Sequence, residues 1–301
     1  MQILISDGLD KAAISTLEEM GCTVVQKFLP PELLREEIKG FECVIVRSAT
    51  KITRDIIDGA LETGRLKLII RAGVGTDNID TGYAKANGIQ VENTPDASSR
   101  AVAELAIGHM FSLARYIHNA NVTMRKGEWN KSEYKGTELH NKVLGLIGFG
   151  RIARETAKIA SAIGMKILYT NRTGIVKGFD DYTYLPLCQL LENSDIISLH
   201  VPYDKQMGAL LGQKEFESIK RGAYLINCSR GGVVDEDALL SALDSGILEA
   251  AALDVFSQEP VKNTRLYTHD KISMTPHIGA STREAQQKIG SRIVDIIKDH
   301  I

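Results

Sequence analysis

The chain has 301 residues and a formal net charge of −2 at pH 7, enough length for two domains that each bury a core. That balance excludes a basic field for nucleic acid or a polybasic membrane patch, and no run is apolar enough for a membrane span or a signal peptide. Cys22, Cys43, Cys188 and Cys228 are widely spaced, without a C-x-x-C pair, and lie in or beside apolar segments, so a cytoplasmic protein with reduced thiols and no structural metal is expected.

In chain order, residues 2–6 read as a strand, 11–20 as a helix stopped by Gly21, and 22–26 as a strand. Pro30-Pro31 opens a short helix, because proline is tolerated in the first turn. Strands at 43–47 and 66–71 flank a helix at 54–59, the alternation of a parallel doubly wound α/β unit. Residues 93–99, Asn-Thr-Pro-Asp-Ala-Ser-Ser, form a polar, punctuated break and a candidate hinge. A long helical pattern is expected over 100–126. Further strands read at 195–201, 223–229, 249–256 and 271–275, with a helix at 235–245. A last helix is expected over 281–301, capped by Ser281.

Between these lies Lys142-Val-Leu-Gly-Leu-Ile-Gly148-Phe149-Gly150-Arg151-Ile152-Ala153. An apolar strand breaks at a glycine turn and a helix follows, which is the context a G-x-G-x-x-G/A dinucleotide site requires. Gly148 allows the tight turn, Gly150 lets a pyrophosphate approach the backbone, and Ala153 lets helix and strand pack closely. The next strand ends near Thr170, about 20 residues beyond, where such a domain reads the adenosine ribose.

Arg230, Glu259 and His277 follow three later strands of the same domain, and ligands of open α/β sheets bind outside those carboxyl ends. Arginine clasps a carboxylate bidentately, histidine exchanges protons near neutral pH, and a glutamate stabilises the imidazolium. Together they suit hydride transfer to or from a 2-oxo or 2-hydroxy acid. Singly they suit blander roles: a surface pair for Arg230, a solvated turn for Glu259. His200 ends a strand on the cofactor side, whereas His109, His118, His140, His269 and His300 read as helix-face or loop residues. In the first domain, Arg71-Ala-Gly73-Val74-Gly75 forms a turn whose N–H groups can hold an anion, and Arg47 ends a neighbouring strand.

Together, Val46–Lys51, Arg71–Asn78, Asn93–Pro95, Gly136–Leu139, Gly145–Ala153, Asn227–Glu236, Ala252–Phe256 with Glu259-Pro260, and Thr275–Thr282 resemble the D-isomer-specific 2-hydroxyacid dehydrogenase family. They span nearly the whole chain in the family's order. The resemblance implies two doubly wound parallel-sheet domains, a Rossmann dinucleotide domain at 96–280 inserted in a smaller flavodoxin-like substrate domain at 1–95, with residues 281–301 returning to the latter. It implies Arg230, Glu259 and His277 as the catalytic trio. Cofactor contacts are expected from Val74, Gly148, Phe149, Gly150, Arg151, Ile152, Asn171, Arg172, Thr173, Val201, Pro202, Cys228, Ser229, Asp254 and Gly279. Substrate contacts are expected from Arg47, Ser48, Gly73, Val74 and Gly75 besides Arg230 and His277, across a cleft between the domains.

Arg47 and Lys131 of the partner subunit match positions associated with a substrate phosphate, and a homodimer through the dinucleotide domain is implied. Two departures from the family stand out. Asn171 replaces the aspartate that bonds the ribose hydroxyl of NAD and repels a 2′-phosphate, so Asn171-Arg172-Thr173 tilts the choice between NAD and NADP toward NADP. If Arg172 points to solvent, Asn171 can still serve NAD. The sequence also stops at Ile301 without the regulatory domains of longer members, so feedback through such a domain is not expected. The rival of another class is a dinucleotide-sensing scaffold, as in co-repressor-like members.

Overall fold

The structure, a computed structural model, describes all 301 residues. It forms two compact units, Met1–Ser99 with Ala280–Ile301, and Arg100–Gly279. In the first unit the elements are β1 (Gln2–Ile5), α1 (Lys11–Glu19), β2 (Thr23–Gln26), α2 (Pro31–Glu37), β3 (Cys43–Val46), α3 (Arg54–Leu61), β4 (Leu68–Arg71), α4 (Thr81–Ala86) and β5 (Gln90–Asn93). Its five parallel strands lie in the order β2-β1-β3-β4-β5.

The side-chain alternation of these strands feeds two cores. Ile3, Ile5, Cys43, Ile45, Leu68 and Ile70 face α1 and the last helix of the chain, while Leu4, Val44, Val46 and Ile69 face residues of α2 and α3. Burial on both faces explains why the central strands β1, β3 and β4 read as apolar runs, while the edge strands β2 and β5 are more polar and partly exposed.

The second unit contains α5 (Ser99–Ala114), α6 (Ile117–Arg125), β6 (Val143–Ile147), α7 (Arg151–Ala162), β7 (Lys166–Thr170), β8 (Thr183–Tyr184), α8 (Leu187–Asn193), β9 (Ile196–Leu199), α9 (Gln213–Glu217), β10 (Ala223–Asn227), α10 (Glu236–Asp244), β11 (Leu248–Leu253), α11 (Thr264–Thr268) and β12 (Ile272–Met274). Its seven strands are parallel, in the order β12-β11-β10-β9-β6-β7-β8. The chain reverses its direction of progress between β6 and β9, which makes their carboxyl ends the switch point where such sheets bind ligands. Here too alternate residues serve opposite layers: Ile197, Leu199, Leu225 and Leu253 pack toward α8 and α10, and Leu144, Leu146, Ile196 and Ile226 toward α5 and α7. The last helix, α12 (Arg283–Lys298), belongs to the first unit and packs along α1.

Two expectations are corrected. The single helix over 100–126 is two helices, separated at Tyr116, whose φ of 54° is left-handed. The break has a tertiary cause: Thr137 N–H donates to the carbonyl of Ala114 at 2.8 Å, and Gly136 lies against that same carbonyl. The last helix starts two residues late, because Thr282, not Ser281, is its cap, accepting from Ala285 N–H at 3.1 Å. The short edge strand β8 escaped the pattern, being two residues long.

Candidate active site

The glycine turn joins β6 to α7. Gly148 has a φ of +88°, and a Cβ there would lie 2.4 Å from the carbonyl oxygen of His200, so only glycine fits beside the end of β9. Phe149 stacks on Tyr169 with ring centroids 4.0 Å apart, and its carbonyl accepts from Arg154 Nε at 3.1 Å, which fixes the turn from within. Gly150 caps α7 with no side-chain acceptor on the helix N–H groups and no acidic residue in the first turn. A Cβ at Gly150 would meet nothing within 4 Å. An amide-rich helix end with open space before it suits a pyrophosphate, so the residues present fit a dinucleotide, whose phosphates Gly150, Arg151 and Ile152 would hold.

At the end of β7, Asn171 Oδ1 accepts from Thr173 N at 2.9 Å and from Thr173 Oγ1 at 3.1 Å. The amide oxygen is committed to this turn, so the group left to a ligand is the NH₂ donor, with Arg172 and Thr173 exposed beside it. Val201 and Pro202 follow β9. His200, at the same strand end, bonds Ser198 Oγ at 3.0 Å; burial pushes it down to about 4, which leaves it neutral and unsuited to proton transfer at neutral pH.

After β10, the buried Asn227 organises the next residues. Its Oδ1 accepts from Ser229 N and Ser229 Oγ, and its Nδ2 donates to Arg230 O at 2.9 Å. Cys228 is buried within this turn, its thiol pushed up by burial. Gly231 lies so close to the Phe256 backbone that a Cβ would overlap it. This close approach brings the Arg230 turn against the segment that carries Glu259.

Glu259 Oε2 lies 2.7 Å from His277 Nδ1, and its Oε1 accepts from Phe256 N at 3.1 Å. Burial works to raise the Glu259 carboxyl, but the His277 bond and charge, the Phe256 N–H and the Arg230 charge outweigh it and hold the group below its ordinary range. All three polar residues of the expected trio thus occur at one sheet edge, and two of them are in contact. Because Nδ1 is engaged by the carboxylate, Nε2 is the atom of His277 left to exchange a proton with a ligand.

Asp254 does more than the sequence suggested. It is 1% exposed; its Oδ1 accepts from Thr275 Oγ1 at 2.6 Å and Ile278 N at 2.8 Å, and its Oδ2 from Gly279 N at 2.8 Å. Its carbonyl accepts from His277 N at 2.9 Å. The residue therefore brackets His277, whose φ is +53°. Neither His109 nor Thr275 was singled out by sequence reasoning, yet they bond each other at 3.1 Å behind this carboxylate; only the three-dimensional fold joins residues 166 positions apart.

In the first unit, Arg47 and Ser48 follow β3, and Gly73, Val74 and Gly75 follow the adjacent β4. Asp7 holds the former loop by accepting from Arg47 N, Thr50 N and Thr50 Oγ1, and Asn78 Nδ2 donates to Arg47 O. Asn93 Nδ2 holds the latter through Val74 O at 2.5 Å. Both loops are therefore braced from behind, at the carboxyl edge of that sheet.

Residues 107–279 match the NAD binding domain of the D-isomer specific 2-hydroxyacid dehydrogenases. Over 310 aligned residues the chain is 42% identical to a D-3-phosphoglycerate dehydrogenase of Methanocaldococcus jannaschii, covering 99% of this chain but 57% of that protein. It is 42% identical to a hydroxypyruvate reductase of Thermotoga maritima, covering 98% of this chain and 97% of the relative. The chain thus spans little more than half the length of the former and nearly all of the latter. Among solved structures, an NADPH-dependent glyoxylate/hydroxypyruvate reductase of Sinorhizobium meliloti, in complex with NADP and malonate, superposes with a TM-score of 0.87 at 28% identity, covering 99% of this chain and 92% of that one. With an uncapped dinucleotide helix and a paired histidine and glutamate on one parallel sheet, and with these relatives, the chain belongs to the D-isomer specific 2-hydroxyacid dehydrogenase family.

Proposed function

We propose that this protein is a nicotinamide-dependent dehydrogenase of D-2-hydroxy acids, with 3-phosphoglycerate and 3-phosphohydroxypyruvate as its substrate pair. The 2.7 Å contact between His277 Nδ1 and Glu259 Oε2, on the sheet that carries the dinucleotide helix, is the observation that carries this reading. A nicotinamide cofactor held at the turn of residues 148–152 would supply the hydride chemistry at C2 of the acid. His277 Nε2 gives a proton to the C2 oxygen in reduction and takes it back in oxidation. Glu259 holds the ring by Nδ1 and stabilises the imidazolium. Arg230 binds the carboxylate and polarises the C2 oxygen. Arg47, Ser48 and the residues 73–75 are assigned to the rest of the acid. Acid–base catalysis of this kind contributes roughly 10² to 10⁴ in rate.

The nucleotide is assigned as NADP, on the committed oxygen of Asn171 and the neighbouring Arg172. The exposed apolar residues Phe111, Ile117, Val122, Met124 and Trp129 support a homodimer through the second unit. A hydroxypyruvate or glyoxylate reductase is the second reading, favoured by the full-length likeness to the Thermotoga maritima enzyme. Turnover of phosphohydroxypyruvate, hydroxypyruvate and glyoxylate, each with NADH and NADPH, separates the two. The proposal expects the highest kcat/KM with phosphohydroxypyruvate and NADPH. Preference for an unphosphorylated acid would establish the second reading instead, and absence of turnover with every pair would remove both.

A further inference from the structure

Three donors converge on the buried carboxylate of Asp254, and no cation does: the Thr275 hydroxyl at 2.6 Å and the backbone N–H groups of Ile278 and Gly279, each at 2.8 Å. Because the Thr275 proton is directed at the carboxylate, its oxygen has only lone pairs to offer its other neighbour, Nε2 of His109 at 3.1 Å. The imidazole of His109 must therefore donate from Nε2, which fixes its tautomer. His109 is 4% exposed on α5, and burial lowers its proton affinity while Asp254 opposes that less strongly, in keeping with a neutral ring that donates once.

The chain of bonds thus runs from His109 through Thr275 to Asp254, and from Asp254 to both residues that follow His277. His277 itself is left-handed, at a φ of +53°, a conformation unfavourable for a non-glycine residue that persists only where its surroundings over-determine it. The surroundings here are the Asp254 bonds, with Thr275 O sharing the His277 N–H at 3.0 Å and Glu259 holding the ring. His277 N donates to Asp254 O, Ile278 N to Oδ1 and Gly279 N to Oδ2.

We propose that His109 is a positioning residue for His277, acting through Thr275 and Asp254 to hold the left-handed turn that points the catalytic imidazole. The proposal rests on the reading of His277 as the acid–base residue. With the Nε2 donor gone, the Thr275 hydroxyl can rotate away from Asp254, and the carboxylate then clamps the turn with one donor fewer.

The test compares His109→Gln, which keeps an N–H donor at a similar reach, with His109→Leu, which fills the same apolar site without one. Thermal melting establishes that both fold. Two quantities are then measured on the full chain: amide hydrogen exchange of the 275–280 segment, and kcat and KM with NADPH and phosphohydroxypyruvate. His109→Leu should exchange faster at Ile278 and Gly279 and lose about tenfold or more in kcat, as a small misplacement of a catalytic group does, with the NADPH Kd within about twofold. His109→Gln should match the wild type in both. Any other ordering of the two variants in exchange, equal behaviour included, would overturn the proposal. Since exchange needs no turnover, an inactive wild type would remove the catalytic reading of His277 while the exchange comparison still decides whether His109 holds the turn.

Discussion

At Glu259 two opposing influences meet: burial favours the neutral acid, while the His277 contact, the Phe256 N–H and the Arg230 charge favour the carboxylate and prevail. A group whose folded value lies below its ordinary 4.5 contributes stability above the ordinary carboxylate range and loses it as pH falls through the lower folded value. Both partners are about one-third exposed, so the contribution is small. Glu259→Gln should lower unfolding free energy at neutral pH by less than about 1 kcal/mol, and the gap to wild type should close in acid. Denaturant titrations at several pH values check this. A gap that stays constant into acid would mean that the substitution disturbed packing rather than charge. The same scale holds what the sequence could not supply about the site. The placement of Arg230, Glu259 and His277 after successive strands of one sheet was legible, because the apolar runs of β10, β11 and β12 mark the strand ends. Asp254, Thr275 and His109 were not legible as a network, since a hydrogen bond across 166 residues leaves no mark on local pattern.

Among the elements, α12 shows how a helix distant in sequence is fitted to its place. Gly290 faces Ala13 of α1, and a Cβ at Gly290 would lie 2.8 Å from that of Ala13 and 3.2 Å from that of Asp10. The two helices approach closely because neither side presents bulk. Gly290→Val should force them apart and destabilise the first unit by about 1–3 kcal/mol, read as a lowered Tm or denaturant midpoint. An unchanged midpoint would show that this helix pair yields freely. The order of the central strands was legible, because fully buried strands and one-faced helices carry distinct periods, whereas the edge strands β5 and β8 and the short helix α4 carry too little apolar pattern to read. The break at Tyr116 was not legible, because Ala114 ends its helix to meet Thr137 from a later loop, a partner that the local pattern of residues 100–126 does not contain. The cap of α12 was misplaced by one residue, since Ser281 and Thr282 are both capping types, with serine slightly preferred, and the geometry selects Thr282.

For the molecule as a whole, each unit is a complete parallel sheet with its own two cores, and the second unit carries both the glycine turn and the Arg230, Glu259 and His277 edge. The proposed nucleotide site and the proposed acid–base pair thus lie in one folded unit, yet after different strands. They should be separable by substitution. In the proposed function His277 moves the proton while the glycine turn holds the nucleotide. The most direct test of that division is His277→Gln against wild type, with steady-state NADPH oxidation by phosphohydroxypyruvate and the thermal shift caused by NADPH alone. The account predicts a loss of roughly 10² or more in kcat, while NADPH at 100 times its Kd still stabilises both proteins by about 2.7 kcal/mol. Near-wild-type turnover in the variant, with nucleotide stabilisation intact, would contradict it.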